Sequence, residues 1–414
     1  MAAVWSVKQI GSRLHNLNIS PRVTPGWLRP VQKSLAHAMN CNYNHRNCNL
    51  KGMLRMSLQR ITMPAASART RTLAEACIRK MASVSQNAGA ALPSSTAWTA
   101  EALSELNASG NIWLIDGRRR AEPPSSRYAT AWPLWFGHQS ERYEKPLFYV
   151  VNTPSVDMLR GLEPETNRKG IFISDADTGS TDLPKGVQAW FPLQLTAMPD
   201  WLPFDPANAR ETGAILHHAL HALYLEGTRK MVYLATNADN DAPASGEPFV
   251  AEQAFKGMYR VATAADSPLQ VRLCGAGRAL ARVQQAAEVL KNWGIAAEIW
   301  SCPSYTRLAQ DAELADMQRQ DSGGECHLKT CLGAGNAPVV AVTDYSHLLA
   351  NQLKRFIPAR FAAVGSDSRT RGEIHYPQAE WIALCALKLL ADEQKIPSTL
   401  IADALRVLHI TPDA

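Results

Sequence analysis

The chain of 414 residues contains no apolar run of about 18 residues, and no Asp or Glu occurs among its first 74 residues. The first absence argues against a transmembrane helix. The acid-free segment carries eleven Lys or Arg, and because the whole chain has a net charge of +6, the rest of it carries −5. This mildly acidic remainder lacks the basic face of a nucleic-acid-binding domain. We therefore expect neither a membrane nor a nucleic acid as its partner.

The basic N-terminal segment allows three interpretations. Residues 1–74 resemble a mitochondrial transit segment in being basic and acid-poor, and a nucleic-acid-binding arm would also be basic. The third interpretation is an over-long reading frame with the true start at Met63 or Met81. Few periodic apolar positions occur here, so we expect residues 1–94 to form an arm and linker with little packed core. Within them, residues 1–60 are expected to be disordered or loosely held.

The sequence also lacks the paired cysteine spacing of a zinc site. Its eight cysteines follow no signal-peptide core, which predicts reduced and mostly buried thiols. Two clusters include a histidine, but with unusual spacing: Cys41, His45 and Cys48, and Cys326, His327 and Cys331. His217 and His221 share a helix face, yet His218 stands where the metal-binding motif H-E-x-x-H has its Glu. We therefore predict no metal site.

Strand patterns alternate with helix patterns along most of the chain, which predicts an α/β protein with two mainly parallel sheets. We place the first domain at 95–265 and the second at 266–414. Strands are predicted at 111–116, 146–152, 170–174, 230–236, 269–275, 295–302, 338–344 and 361–367. Helices are predicted at 71–85, 99–110, 209–227, 250–264, 281–294, 345–357, 381–394 and 398–408. Residues 311–336 are predicted to be irregular.

A glycine turn at VRLCGAGRAL, residues 271–280, raises the possibility of a nucleotide site. The dinucleotide fingerprint G-x-G-x-x-G/A needs a third small residue, but Leu280 stands there. The acid that should end the second strand is also misplaced, because Glu298 lies within that strand. The favoured interpretation is a tight strand-to-helix turn that Gly275 and Gly277 permit.

Longer runs around this turn resemble the homodimeric pyruvate dehydrogenase decarboxylating component, a thiamine diphosphate family. The resemblance covers the end of that family's middle, pyrimidine-binding domain and its C-terminal domain, residues 200–410, and is faint over 95–200. The matching positions in the middle-domain end and linker are Asp205, Pro206, Tyr233, Asn240, Lys256, Gly257, Met258 and Tyr259. Those in the C-terminal domain are Gly275, Gly277, Leu290, Trp293, Gly294, Ser301, Ser304, Tyr305, Leu308, Asp311, Pro338, Asp344, Tyr345, Pro358, Arg360, Gly365 and Asp367.

The resemblance implies two transketolase-like domains, the first of them shortened, and a C-terminal domain that helps to form a dimer rather than to bind a dinucleotide. It also implies thiamine diphosphate and Mg²⁺, for which the family uses a G-D-G…N stretch. No G-D-G occurs in this chain, and Asp116-Gly117 is followed by Arg118. Neither Glu122 nor Glu141 can be matched to the family's cofactor-activating Glu.

The family's histidine-bearing H-E-D-G-H-S stretch has its best counterpart in Asp175–Ser180, where both histidines are missing. A carboxylate donates a proton near neutral pH only if its pKa is strongly raised. The catalytic and cofactor-binding residues are therefore unknown, and we expect no tight binding of thiamine diphosphate by the isolated chain.

Three functional hypotheses remain. The chain is a decarboxylating component that has lost its site, a non-catalytic partner of an intact 2-oxo acid dehydrogenase subunit, or half of a split enzyme; the lost His and Glu argue against the last. A homodimer, or pairing with an intact subunit, is expected. Part of the apolar run WIALCALKLL, residues 381–390, is predicted either to face that partner or to close the domain's own core. The expected location is cytoplasmic, or mitochondrial if the basic arm is a transit segment.

Overall fold

Two five-stranded sheets, each covered by helices on both faces, make up the computed structural model of this chain. The structure describes residues 67–87, 94–116, 144–151, 156–166, 168–174, 190–228, 230–238, 249–317, 325–367 and 376–410, all within one compact unit, Pro64–Ala414. None of the helices in these ranges is long and apolar enough to cross a membrane.

The first sheet is entirely parallel and has the strand order β1-β2-β3-β5-β4. Its strands are β1 (Trp113–Asp116), β2 (Leu147–Val151), β3 (Gly170–Ser174), β4 (Trp201–Phe204) and β5 (Met231–Ala235). Its helices are α1 (Ala68–Asn87), α2 (Ser95–Ala108), α3 (Val156–Glu165), α4 (Phe191–Leu195) and α5 (Ala209–Leu220), and α5 continues as a π turn, His221–Leu225.

The second sheet has the order β10-β9-β7-β8-β6, with only β6 antiparallel to its neighbour. Its strands are β6 (Tyr259–Ala262), β7 (Gln270–Gly275), β8 (Ala296–Ser301), β9 (Val339–Val342) and β10 (Phe361–Val364). The helices are α6 (Ala251–Lys256), α7 (Ala279–Lys291), α8 (Tyr305–Met317), α9 (His327–Leu332), α10 (His347–Asn351), α11 (Ala379–Asp392) and α12 (Thr399–Val407), with a 3₁₀ turn at Lys354–Phe356.

Successive residues of the central strands are buried on opposite faces of their sheets. In β2, Leu147 belongs to the core on one face of the first sheet and Phe148 to the core on the other. In β7, Leu273 and Cys274 are divided between the two faces of the second sheet in the same way. Burial on both faces explains why these strands read as continuous apolar runs. The predicted α/β class with mainly parallel sheets is confirmed.

Several elements differ from the sequence-based expectation. No strand was predicted at residues 201–204, where the structure has β4. Proline disfavours a central strand, but Pro203 is tolerated because β4 lies at the edge of its sheet. The helix predicted at 250–264 ends at Lys256, where Gly257 has a φ of +111° and a Cβ would collide with the Ser304 carbonyl oxygen. The chain then continues as β6. The predicted boundary at 265 therefore falls within the second sheet.

Two further regions contain more structure than we expected. Helix α1 places Ala74, Cys77 and Met81 in the core of the first sheet, where little core was expected before residue 95. The stretch 311–336 was predicted to be irregular but contains the end of α8 and the whole of α9. The helix of α1 was predicted, but its burial was not. Packing of the apolar side against the rest of the fold stabilises both helices.

Candidate functional site

The strongest candidate site lies where the segment after β4 meets the carboxyl ends of β7 and β8. Asp205 follows β4, and its backbone N–H donates to the Pro303 carbonyl oxygen at 2.7 Å. The Gly277 N–H in turn donates to the Asp205 carbonyl oxygen at 3.0 Å. Carboxyl ends of parallel strands are the usual ligand-binding edge of α/β sheets. We call this region the joint, formed by residues 205–211, 236–237, 257–259, 275–277 and 301–306.

The glycine turn is a strand-to-helix turn, as predicted. β7 ends at Gly275 and α7 begins at Ala279. A Cβ on Gly275 would lie 2.8 Å from the Leu280 Cα, so this glycine allows α7 to approach its own strand. Gly277 has a φ of +53°, which favours glycine. Its missing Cβ leaves room for the Asp205 carboxylate, which a side chain there would strike.

Asp205 therefore occupies the space in front of the turn that a phosphate would take in a nucleotide site. The residue is 5% exposed, and its carboxylate accepts a hydrogen bond from Asn237 Nδ2 at 3.3 Å. Asn237 also donates to the Pro206 carbonyl oxygen, and its backbone N–H donates to Ser95 Oγ. An internal carboxylate at the start of α7 interacts favourably with the helix dipole. It also excludes a phosphate from that position by charge and volume, so this turn serves the structure rather than a dinucleotide.

Glu211, in the first turn of α5, is the second carboxyl group of the joint and is fully buried. Its Oε1 accepts from Tyr259 Oη at 2.8 Å and from Ser301 Oγ at 2.6 Å. Its Oε2 accepts from the Ala207 N–H at 2.7 Å. Burial raises the pKa of Glu211 above its ordinary value, although these three donors oppose the rise. One side chain thus joins α5 of the first sheet to β6 and β8 of the second.

A small cavity of about 20 Å³ lies beside Asp205, between the two sheets. Its lining includes Cys302, Ser304 and Tyr305 together with the buried Thr306, whose hydroxyl has no hydrogen-bond partner in the described part of the chain. This volume suits a single water molecule and no cofactor. The joint is thus tightly closed by the protein's own side chains.

The predicted histidine pair is not brought together with further metal ligands. His217 is half-buried, whereas His221 is exposed and lies 3.0 Å from a Glu226 carboxylate oxygen. His218 stacks on Phe255 with ring centroids 5.9 Å apart. Burial lowers the pKa of His217 and of His218. Their surroundings favour the neutral imidazole.

The second cysteine–histidine cluster is a set of packing contacts. Cys331 Sγ lies 3.6 Å from His327 Nε2, which is 2.7 Å from the Met258 carbonyl oxygen. Burial raises the pKa of the Cys331 thiol to about 12, which disfavours the thiolate that metals bind. Among the described residues, no group of three His, Cys, Asp or Glu side chains is arranged to hold a metal ion.

A Ser–His–Asp cluster at the carboxyl ends of β9 and β10 escaped the sequence analysis. Asp367 accepts from Ser346 Oγ at 2.7 Å and lies 3.0 Å from His347 Nδ1. The serine and the histidine both contact the carboxylate, so no serine-to-histidine relay exists here. Ser346 instead caps α10 through the Leu348 N–H. The sequence signal for this cluster was the pair of motifs T-D-Y-S-H and G-S-D, which follow two neighbouring parallel strands.

Arg278, which precedes α7, and Arg282 of α7 both contact Tyr376. Arg278 donates to Tyr376 Oη at 3.1 Å, and both guanidinium groups lie 5.0 Å from its ring centroid. Arg282 also pairs with the buried Asp344 carboxylate. The Arg282–Asp344 pair connects α7 to the segment that follows β9.

The remaining predicted residues lie largely outside the described residues. Asp116 ends β1 and is partly exposed. The other candidate positions named from the sequence lie outside the described ranges: Gly117, Arg118, Glu122, Glu141, Asp175–Ser180, Cys41, His45, Cys48 and the basic arm 1–60.

Comparison with known proteins gives this geometry a context. Residues 257–368 match the transketolase-like TK C-terminal domain. The chain is 30% identical to the pyruvate dehydrogenase E1 component of Cupriavidus necator over 233 residues, which is 52% of this chain and 26% of that protein. The E1 component of Escherichia coli K12 is also 30% identical over 233 residues, covering 53% and 26%. The chain thus spans about a quarter of the length of these relatives.

Among solved structures, a transketolase from Pichia stipitis in complex with sedoheptulose 7-phosphate superposes with a TM-score of 0.50 at 16% identity. The superposition covers 74% of this chain and 47% of the transketolase chain. At that identity the likeness concerns the fold alone. The C-terminal half of this chain is therefore homologous to the pyruvate dehydrogenase E1 component and is built on a transketolase-like α/β fold.

Proposed function

We propose that this chain is a pyruvate dehydrogenase E1-like protein of the 2-oxo acid decarboxylating type that is incomplete for catalysis by itself. One observation carries the proposal: the chain keeps the joint of the two-domain scaffold, through Asp205–Gly277 and Glu211–Tyr259–Ser301, while its sequence contains no G-D-G. Both sheets are thus held in place without the stretch that the resemblance assigns to the diphosphate and its metal.

The described residues do not fit thiamine diphosphate or Mg²⁺. The start of α7 is filled by the Asp205 carboxylate. The cavity beside it has room for one water, and Mg²⁺ needs oxygen ligands with carboxylate charge that the described residues do not gather. We therefore derive no catalytic step through this cofactor. The chain's own contribution is the scaffold.

Activity of the full chain tests the proposal. We expect no reduction of an artificial electron acceptor with pyruvate, thiamine diphosphate and Mg²⁺, and no saturable heat in calorimetry with millimolar cofactor. An intact bacterial E1 component, assayed in parallel, is the positive control. Turnover by the isolated chain, or a micromolar Kd for the cofactor, would overturn the proposal.

A second candidate function is assembly with a second copy or with an intact E1 component, and the exposed apolar surface of α8 favours it. Leu314 is 57% exposed and Met317 is 73% exposed. The run at 381–390 exposes less apolar surface to a partner. Most of its large apolar side chains are buried in the core of the second sheet: Ile382, Leu384, Leu387 and Leu390, with Trp381 partly buried against them. Partner-facing apolar residues are therefore on α8 rather than on α11. In either role we place the protein in the cytoplasm.

Sedimentation of the full chain at tens of micromolar tests assembly. We expect a species heavier than the monomer, alone or mixed with an intact E1 component, and its loss in Leu314→Ser/Met317→Ser. Val407→Ser is the matched control, because Val407 is equally exposed, at 62%, on a different helix. A monomer under both conditions contradicts the assembly role.

A further inference from the structure

The joint contains a buried acid without a cationic partner. Glu211 is fully buried, and within the described residues it forms no ion pair with Lys, Arg or His. Its three donors are the Tyr259 and Ser301 hydroxyls and one backbone N–H. When a buried carboxylate receives hydrogen bonds only from neutral donors, they do not fully compensate for the lost hydration of its charge.

The donors of Glu211 come from both sides of the joint. Ala207 belongs to the segment that leads into α5, whereas Tyr259 begins β6 and Ser301 ends β8. These two residues face each other in the register of the β6–β8 pair. Any change in the charge of Glu211 therefore acts directly on the contact between the two sheets.

We propose that Glu211 is a proton-sensitive latch that keeps the two sheets together when it carries its proton and loosens the joint when it loses it. In the neutral state the carboxyl O–H donates to one of the facing hydroxyls, while the other carboxyl oxygen still accepts from the Ala207 N–H. In the ionised state the same space holds a negative charge close to the Asp205 carboxylate. Opening of the joint lets water solvate that charge.

The titratable surroundings are consistent with this direction. Burial is the largest influence and raises the pKa of Glu211, the hydrogen bonds from Ser301, Ala207 and Tyr259 lower it, and the Asp205 charge raises it. Burial likewise raises the pKa of Tyr259 and of Cys302, which face Glu211. The Arg210 charge lowers the pKa of Tyr259, and the Arg210 guanidinium lies over the Phe249 ring.

The sign of the effect follows from linkage. A carboxyl whose pKa is higher in the folded state than in the open state binds more protons when folded. Its stabilising effect is complete below the ordinary carboxyl pKa of 4.5 and is lost as the pH rises through the folded value. The joint should therefore open more often at high pH.

Hydrogen exchange of the full chain, followed by mass spectrometry from the ordinary carboxyl pKa of 4.5 up to pH 10, tests the latch. After correction for intrinsic exchange, we expect the protection of segments 203–212, 257–262 and 299–306 to fall as the pH rises, because the open state then binds fewer protons than the closed state. In Glu211→Gln the fall should be absent. The neutral amide can turn so that its oxygen accepts from the Ala207 N–H and its nitrogen donates to the two hydroxyls.

Two further variants keep the test decisive. Glu252→Gln removes a carboxylate that is exposed and paired with Lys256, and should follow the wild-type profile. Tyr259→Phe removes one donor to the ionised form and should deepen the fall, even if Glu211→Gln folds poorly. Parallel profiles in wild type, Glu211→Gln and Tyr259→Phe, or protection in wild type that holds to pH 10, would sink the proposal.

Discussion

At the scale of single residues, the absent side chain of Gly277 decides what the glycine turn can hold. Without a Cβ, this position admits the Asp205 carboxylate, and its backbone keeps a φ of +53°. The glycine spacing predicted the turn but not the position of Asp205, which lies 72 residues earlier in the chain. A partner so distant in sequence leaves no local pattern.

Gly277→Ala should destabilise the fold more than an ordinary glycine substitution. The new Cβ adds a collision with Asp205 to the cost of a left-handed backbone, about 1–2 kcal/mol. We expect a loss of about 3 kcal/mol or more in the free energy of unfolding, measured by urea denaturation. Gly110→Ala is the matched control, because Gly110 has a φ of +69° with no atom near its Cβ, and should lose only about 1–2 kcal/mol. Equal losses would contradict a role for the collision.

At the scale of elements, α1 shows how a helix outside the region of resemblance is held in the fold. Its apolar side packs into the core of the first sheet, and Arg71 donates to the Leu225 carbonyl oxygen at 2.6 Å. Lys80 pairs with Glu105 of α2 at 2.6 Å. Burial raises the pKa of the Cys77 thiol to about 12. The helix spacing in the sequence predicted this element, whereas its place in the core depended on α2 and α5.

A start at Met81 should therefore give an unstable protein. Such a chain lacks the buried Ala74 and Cys77 and the Arg71 contact. The apolar burial that these residues provide in the core of the first sheet is then lost. A chain starting at Met63 retains all of α1 and is the control. Thermal unfolding followed by circular dichroism measures the difference. Equal Tm values for the two chains would show that α1 contributes little.

At the scale of the whole molecule, the two sheets meet through a surface rich in titratable groups as well as through the joint. His218 of α5 stacks on Phe255, and Arg307 of α8 lies 4.2 Å from the centroid of the same ring. His327 of α9 contacts the Met258 carbonyl oxygen. Burial lowers the pKa of His218, His217 and His327, and neighbouring positive charges lower it further for His218 and His327.

Acid should weaken the contact between the sheets through these histidines. Because their folded pKa values lie below the ordinary 6.5, the unfolded chain binds more protons, and the stabilisation present above pH 6.5 is lost as the pH falls. Between pH 7.5 and 5.0 we expect the Tm of the wild-type chain to fall relative to that of His218→Gln, because the effect of Glu211 is common to both proteins. His221→Gln is the control, since His221 is exposed beside Glu226. A decrease of the same size in all three proteins would contradict this account.

Elements whose signals are local could be predicted without the structure. Hydrophobic period, residue propensity and φ preference within a few residues predict three kinds of element. These are the apolar strands buried on both faces, the helices that end at Gly110 or Gly294, and the turn at Gly275–Gly277. Family-specific runs added the transketolase-like fold. Two strands were not predicted. The short β4, which contains Pro203, is stabilised by pairing at the sheet edge. β6 stands where a helix was predicted, because the close approach of Gly257 to Ser304 ends α6 before it.

The roles of the two buried carboxyl groups, in contrast, depend on how distant parts of the chain pack together. Asp205 and Glu211 are ordinary acids in the sequence, next to a proline and in the first turn of a helix. Their chemistry comes from groups 48 to 90 residues away: Tyr259 and Ser301 around Glu211, and Gly277 in front of Asp205. Burial and hydrogen bonding set the proton affinity of a carboxyl group, and both are properties of the assembled fold.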